Sequence, residues 1–159
     1  MKKIAVTGAG GRVGSQVVKE LMENDYQVLS ITHSPKNCPG EEISLDIKNY
    51  QEIYDALADC DGVIHLAAIP GPKRNKDELV LTTNAVGTYN VLRAAGNRGI
   101  KRVALASTDS TLGFAFNKNK PDPEYLPVDE KHPLKPDNSY GISKVLAEKV
   151  ADGMAQRFP

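Results

Sequence analysis

A short apolar run, Ile4-Ala5-Val6, leads straight into Thr7-Gly8-Ala9-Gly10-Gly11-Arg12-Val13-Gly14. Gly8, Gly11 and Gly14 stand three apart, and Val13, Val17, Val18, Leu21 and Met22 then fall on one helical stripe. A strand, a glycine turn and a helix in that order constrain this chain more than any other feature. The first glycine allows the tight turn. The second lets an anionic group approach the backbone, and the third lets helix and strand pack closely. The N–H groups at the helix start then face an anion such as a pyrophosphate. The spacing alone also fits a plain tight turn; the position between strand and helix is what points to a nucleotide.

The rest of the chain repeats the alternation. Short apolar runs predict strands over 27–32, 43–45, 62–66 and 102–106, after the first at 4–6. Helical spacing predicts helices over 13–22, 50–57, 79–95 and 140–157. Residues 107–139 carry no clear periodicity and are proline-rich. Each parallel crossover needs a helix-sized connection, so five alternations imply one α/β domain: a doubly wound parallel sheet of Rossmann type, ordered 3-2-1-4-5. Ligands of such sheets bind beyond the carboxyl ends of the strands. The loops after strands one, two, four and five are therefore the ones to read for function.

Composition excludes several classes. Twenty Lys and Arg balance twenty Asp and Glu, which gives no electrostatic reason for a nucleic-acid or anionic-membrane partner. No apolar run approaches the roughly 20 residues of a membrane span. The basic start, Met1-Lys2-Lys3, turns glycine-rich at once and has no signal-peptide core. Cys38 and Cys60 are isolated, with no CxxC and no histidine at metal spacing, so the expectation is free thiols, no metal, and a cytoplasmic location.

Two further patterns sit on the predicted loops. Dinucleotide folds place an acid at the end of the second strand to take the ribose hydroxyls. Here that end reads Ser30-Ile31-Thr32-His33-Ser34, without a carboxylate. Thr32 and His33, with Lys36, could face a 2′-phosphate or bond a plain ribose. The second pattern opens the last helix. Tyr140 and Lys144, four apart, share one helix face. An ammonium beside a phenol favours the phenolate, and such a phenol can pass a proton to or from a substrate oxygen. Ser107 or Thr108, at the end of strand five, could hold the same oxygen.

Taken together these motifs resemble the extended short-chain dehydrogenase/reductases, the NAD-dependent epimerase/dehydratase family. The resemblance covers essentially the whole chain. It rests on the Thr7 to Gly14 loop, Leu45-Asp46-Ile47, His65-Leu66-Ala67-Ala68, Asn84 with Gly87-Thr88-Tyr89-Asn90-Val91-Leu92, Ala106-Ser107-Thr108, Pro127-Val128-Asp129-Glu130, and Tyr140 to Lys144. It implies that Gly8, Gly11, Arg12 and Val13 cradle the pyrophosphate of NAD or NADP. Thr32 stands where the family keeps its ribose-binding Asp. Asp46 and Ile47 border the adenine, with Asp46 accepting from its amino group. Leu66, Ala67 and Ala68 line the nucleotide. Asn84 is a structural or cofactor-side polar residue. Thr108, five residues before Gly113, takes the catalytic Ser/Thr place. Tyr140 is the general acid/base, and Lys144 holds the nicotinamide ribose and tunes Tyr140.

The resemblance also implies a carbohydrate substrate, either a sugar or a sugar nucleotide, and a homodimer built through the long helix and the Tyr140 helix. Thr108-Asp109 resembles the Thr-Asp of sugar-nucleotide dehydratases, but Ser110 stands where those enzymes carry their Glu, so elimination of water is not expected. Asp109 is read as a loop cap, His65 as a packed strand-end residue, and Asp129-Glu130 as ordering the long loop. Family members continue with further strands and a small substrate-binding domain, so residues 1–159 are expected to be the N-terminal part of a longer chain. Epimerase, sugar or aldehyde dehydrogenase/reductase, and non-catalytic nucleotide sensor all stay open.

Overall fold

Five short strands form the sheet: β1 (Lys3–Thr7), β2 (Gln27–Thr32), β3 (Glu41–Ser44), β4 (Gly62–His65) and β5 (Val103–Leu105). Every pairing is parallel and the order is β3-β2-β1-β4-β5, as the alternation requires. The computed structural model describes residues 2–72 and 75–159; Met1, the first residue of the basic N-terminal stretch, lies outside them.

Alternating side chains send β1 and its neighbours to two cores. Ala5, Leu29 and Val63 point to one face, where Ile53 and Leu57 of α2 (Tyr50–Ala56) and its end meet Val91, Ala94 and Ala95 of α4 (Gly87–Asn97). Val6 and Val28 point to the other, against Val18 of α1 (Arg12–Glu23). Val18 is fully buried, but Val13, expected on the same stripe, is 62% exposed. It stands in the first turn of α1, beyond the sheet, where there is no core for it to enter.

The long helix expected over 79–95 has three parts: α3 (Asp77–Leu81), a π-helical turn Thr82–Val86, and α4. A helix with one wide turn carries nearly the same apolar spacing, so periodicity cannot reveal it. Residues 107–139 include a 3₁₀ turn, Asp109–Leu112, and the last helix is α5 (Ser139–Arg157). Among the described residues no helix is long and apolar enough to cross a membrane.

Candidate active site

The glycine loop closes β1 onto α1 through two close approaches, at Gly8 and Gly14. Gly8 has φ +70°, and a Cβ there would lie 2.8 Å from Ala67 N and 2.9 Å from the Leu66 carbonyl carbon. No side chain fits between this turn and the chain leaving β4. At Gly14 a Cβ would lie 2.9 Å from Ala9 Cα, so the third glycine lets α1 pack on the turn. Gly11 is exposed, N-caps α1 with its backbone, and leaves the helix start open: the first turn holds neither a capping side chain nor an acidic residue. An uncapped helix start with bare backbone in front of it suits a pyrophosphate. Arg12 and Val13, both exposed, flank it.

Behind the loop runs a buried polar thread. Thr7 Oγ1 accepts from the N–H groups of Leu66 and Ala67, both at 3.2 Å. Its own proton then goes to His65 Nδ1 at 2.6 Å, which leaves Nε2–H to donate to Thr88 Oγ1 at 3.0 Å. Burial, with a smaller contribution from the Lys144 charge, pushes the His65 pKa down to about 3, so the imidazole is neutral. His65 is a packed strand-end residue, as its sequence position suggests. The thread fixes Leu66 and Ala67 against the glycine turn.

The other residues expected on the cofactor side each have partners of their own. Thr32 is buried, and its hydroxyl donates to Glu42 Oε1 at 3.0 Å. Asp46 caps the turn before α2: its Oδ1 accepts from Lys48 N–H at 2.9 Å, and Oδ2 pairs with Lys48 Nζ at 3.4 Å. Ile47 packs inward, where a Cβ on Gly87 would meet its Cδ1 at 2.5 Å. Asn84, in the π turn, is 1% exposed. Its Oδ1 accepts from Ile69 N–H at 2.8 Å, and its Nδ2 donates to Ile69 O at 3.2 Å and Ser143 Oγ at 3.0 Å. It ties the loop after β4 to α5.

The end of β5 meets the start of α5. Lys144 is buried and donates from Nζ to Ala106 O at 2.8 Å. Burial pulls its pKa below the usual lysine value, with Glu148 acting the other way. One turn earlier on the same face, Tyr140 is half-buried, its ring edge-on to Phe116 with centroids 6.1 Å apart. Thr108 N-caps the 3₁₀ turn: Oγ1 accepts from Ser110 N–H at 3.2 Å and donates to Asp109 Oδ1 at 3.1 Å. The cap is thus Thr108 and not Asp109, because the extended backbone of Thr108 places its hydroxyl over the turn. Ser107, the other hydroxyl at this strand end, donates to Glu148 instead. Asp129 does order the long loop, its Oδ1 accepting from Tyr125 OH at 2.6 Å and Lys131 N–H at 2.9 Å.

Several positioning residues escaped the sequence reading. Asn138 N-caps α5, accepting from Gly141 N–H at 2.9 Å, and Asn117 Oδ1 accepts from Asp137 N–H at 3.0 Å and Asn138 Nδ2 at 3.2 Å. Together they aim the first turn of α5, and with it Tyr140. Asn138 carried a readable signal, a capping residue just ahead of a helical pattern. Asn117 carried none.

Comparison with known proteins agrees with this geometry. The chain is 36% identical over 162 residues to L-arabinose 1-dehydrogenase (NAD(P)(+)) of Haloferax volcanii, covering 99% of this chain and 63% of the relative. It is 34% identical over 162 residues to uronate dehydrogenase of Agrobacterium fabrum, covering 99% of this chain and 57% of the relative. A crystal structure of a short-chain dehydrogenase/reductase superfamily protein from Agrobacterium tumefaciens with bound NAD superposes with TM-score 0.84 at 32% identity, over 94% of this chain and 44% of that one. The chain thus spans between 44% and 63% of the length of these proteins. Residues 4–158 match the NAD dependent epimerase/dehydratase family. With the glycine cradle, the parallel sheet and this match in agreement, the chain belongs to the NAD dependent epimerase/dehydratase family.

Proposed function

We propose that the protein is an NAD(P)-dependent oxidoreductase or epimerase acting on a sugar or sugar nucleotide. The observation that carries the reading is the meeting of Lys144 with the end of β5, two residues before Thr108 and one helical turn from Tyr140. The sugar dehydrogenases among the relatives support the substrate class. The uncapped helix start, with exposed Gly11 in front of it, fits the pyrophosphate of a dinucleotide.

In this reading Gly8, Gly11, Arg12 and Val13 hold the pyrophosphate, Thr32 stands by the adenosine ribose, and Asp46 and Ile47 border the adenine. Leu66, Ala67 and Ala68 form the wall opposite, and Asn84 keeps that wall in register with α5. The cofactor, when bound, exchanges a hydride with the substrate carbinol carbon at nicotinamide C4. Tyr140 moves the hydroxyl proton, Thr108 orients the same oxygen by a hydrogen bond, and Lys144 holds the nicotinamide ribose. Tyr140→Phe tests this directly. Turnover of a panel of pentoses, uronic acids and nucleotide sugars should fall by about a hundredfold or more, while nucleotide binding by calorimetry survives. Undiminished turnover would remove Tyr140 from proton transfer. Net formation of reduced nicotinamide marks a dehydrogenase; product without it marks an epimerase.

The same reading includes a homodimer. Val86 at the end of the π turn, Tyr89 on α4, and Leu146 and Val150 on α5 line an open apolar groove, with Val86 48% and Leu146 45% exposed. A second copy of this face would cover it.

A further inference from the structure

Beyond the carboxyl ends of β4 and β5, one aromatic ring stands between two walls of the crevice. Phe116, in the segment after β5, is 41% exposed. On one side its ring meets Tyr140 edge-on, with centroids 6.1 Å apart and planes at 76°. On the other it reaches the loop after β4, where a Cβ on Gly71 would lie 3.8 Å from Phe116 Cζ. Gly71 has φ +99°, a conformation that side chains rarely adopt, so the loop passes the ring as bare backbone. In a parallel sheet of this order, ligands enter by that crevice.

The exposure of the ring is built into the chain. Its neighbour Asn117 is buried and held at both ends of its amide. Nδ2 donates to Lys135 O at 2.6 Å, and Oδ1 accepts from Asp137 N–H at 3.0 Å and Asn138 Nδ2 at 3.2 Å. One residue further on, Lys118 N–H donates to Asp137 Oδ2 at 3.0 Å. The backbone after Phe116 is thus pinned to the residues just ahead of α5. The turn puts an amide inside and a phenyl ring outside, the reverse of what burial favours. A ring on pinned backbone loses little freedom when a ligand covers it.

A sugar ring suits such a surface. It carries hydroxyls at its rim and a face of C–H groups, and that face packs against the electron-rich face of an aromatic ring. A sugar whose hydroxyl reaches the Tyr140 phenol has Phe116 within reach of its C–H face. We propose that Phe116 is a specificity-determining residue, an aromatic platform for the C–H face of a carbohydrate whose reacting hydroxyl meets Tyr140. The proposal rests on the reading of the protein as a sugar oxidoreductase or epimerase and names a substrate contact within it.

Kinetics of the full-length protein over the same panel of sugars, with nucleotide binding followed by calorimetry, test it. Phe116→Leu keeps an apolar side chain and removes the ring. It should raise KM for the preferred sugar about five- to tenfold, move kcat by less than about twofold, and leave nucleotide affinity as it was. Phe116→Tyr, which keeps the ring, should keep the lower KM. Titration of the same sugar into nucleotide-loaded Tyr140→Phe protein separates binding from turnover, and there Phe116→Leu should weaken binding by a similar factor. An unchanged KM and sugar affinity in Phe116→Leu, or a Phe116→Tyr variant as impaired as Phe116→Leu, overturns the platform. A fall in kcat alone would mean that the ring only steadies Tyr140, and a fall in nucleotide affinity that it carries the cofactor; either result also overturns it. Wild-type protein that binds nucleotide yet turns over no sugar of the panel overturns the sugar reading itself, and the platform with it.

Discussion

At the scale of single residues, the site is organised by groups whose hydrogen bonds are already spoken for. The Thr7 hydroxyl takes two backbone N–H groups and hands its proton to His65, and the imidazole passes a bond on to Thr88. This arrangement needs a neutral ring, which makes it sensitive to acid. Free in the unfolded chain, the imidazole takes its proton near pH 6.5; folded, it resists until about pH 3. Between those values the unfolded chain binds the extra proton, so stability is lost as pH falls, by about 1.4 kcal/mol per pH unit from this residue. Above pH 6.5 the effect vanishes. Urea unfolding of the wild type and His65→Gln at pH 7 and pH 5 should show the wild type losing more; equal losses would contradict a buried neutral ring. The residue-level legibility of the chain follows the same division. Gly8 could be read from the strand, turn and helix that follow one another around it, and Tyr140 and Lys144 from a four-residue spacing that puts them on one helix face. Glu42 could not, since its approach to Thr32 depends on the pairing of β2 with β3.

Among the elements, the alternation of apolar runs and helical stripes is strong enough to give five strands, their order and their hand, since crossovers leave little freedom. What it leaves out is the junction between helices. The π turn seats Asn84, whose partners Ile69 and Ser143 belong to a loop and a helix 15 and 59 residues away. Nothing in local spacing marks those distances. Asn84→Ala leaves the part-buried Ile69 N–H and carbonyl, and the buried Ser143 hydroxyl, without the Asn84 side chain as partner. It should cost about 2–3 kcal/mol of unfolding free energy and raise exchange of the Ile69 amide before that of the sheet. A change under about 0.5 kcal/mol would show that water or relaxed backbone replaces the side chain. The Tyr140 helix depends on a second such junction, the Asn117–Asn138 pair, drawn from the stretch where periodicity is silent.

For the molecule as a whole, the open apolar groove that Val86 and Tyr89 form with Leu146 and Val150 of α5 is the face assigned to the proposed dimer. Leu146→Glu places a charge in its middle. If the proposed dimer uses this face, light scattering should report a dimer for the wild type and a monomer for the variant; an unchanged mass would place the dimer elsewhere or remove it. The position of β1 has a different consequence, one of timing. It is the earliest of the five strands to be synthesised, yet it lies in the middle of the sheet, with Ala5 beside Leu29 on one side and Val63 on the other. The Thr7 hydroxyl waits for amides 59 and 60 residues downstream, and the wall that confines Gly8 is made of those same residues. A nascent chain that has reached the end of α2 therefore holds every glycine of the loop but no cradle. The nucleotide cannot guide the early steps of folding on the ribosome, and its stabilising influence begins only once β4 has emerged and docked.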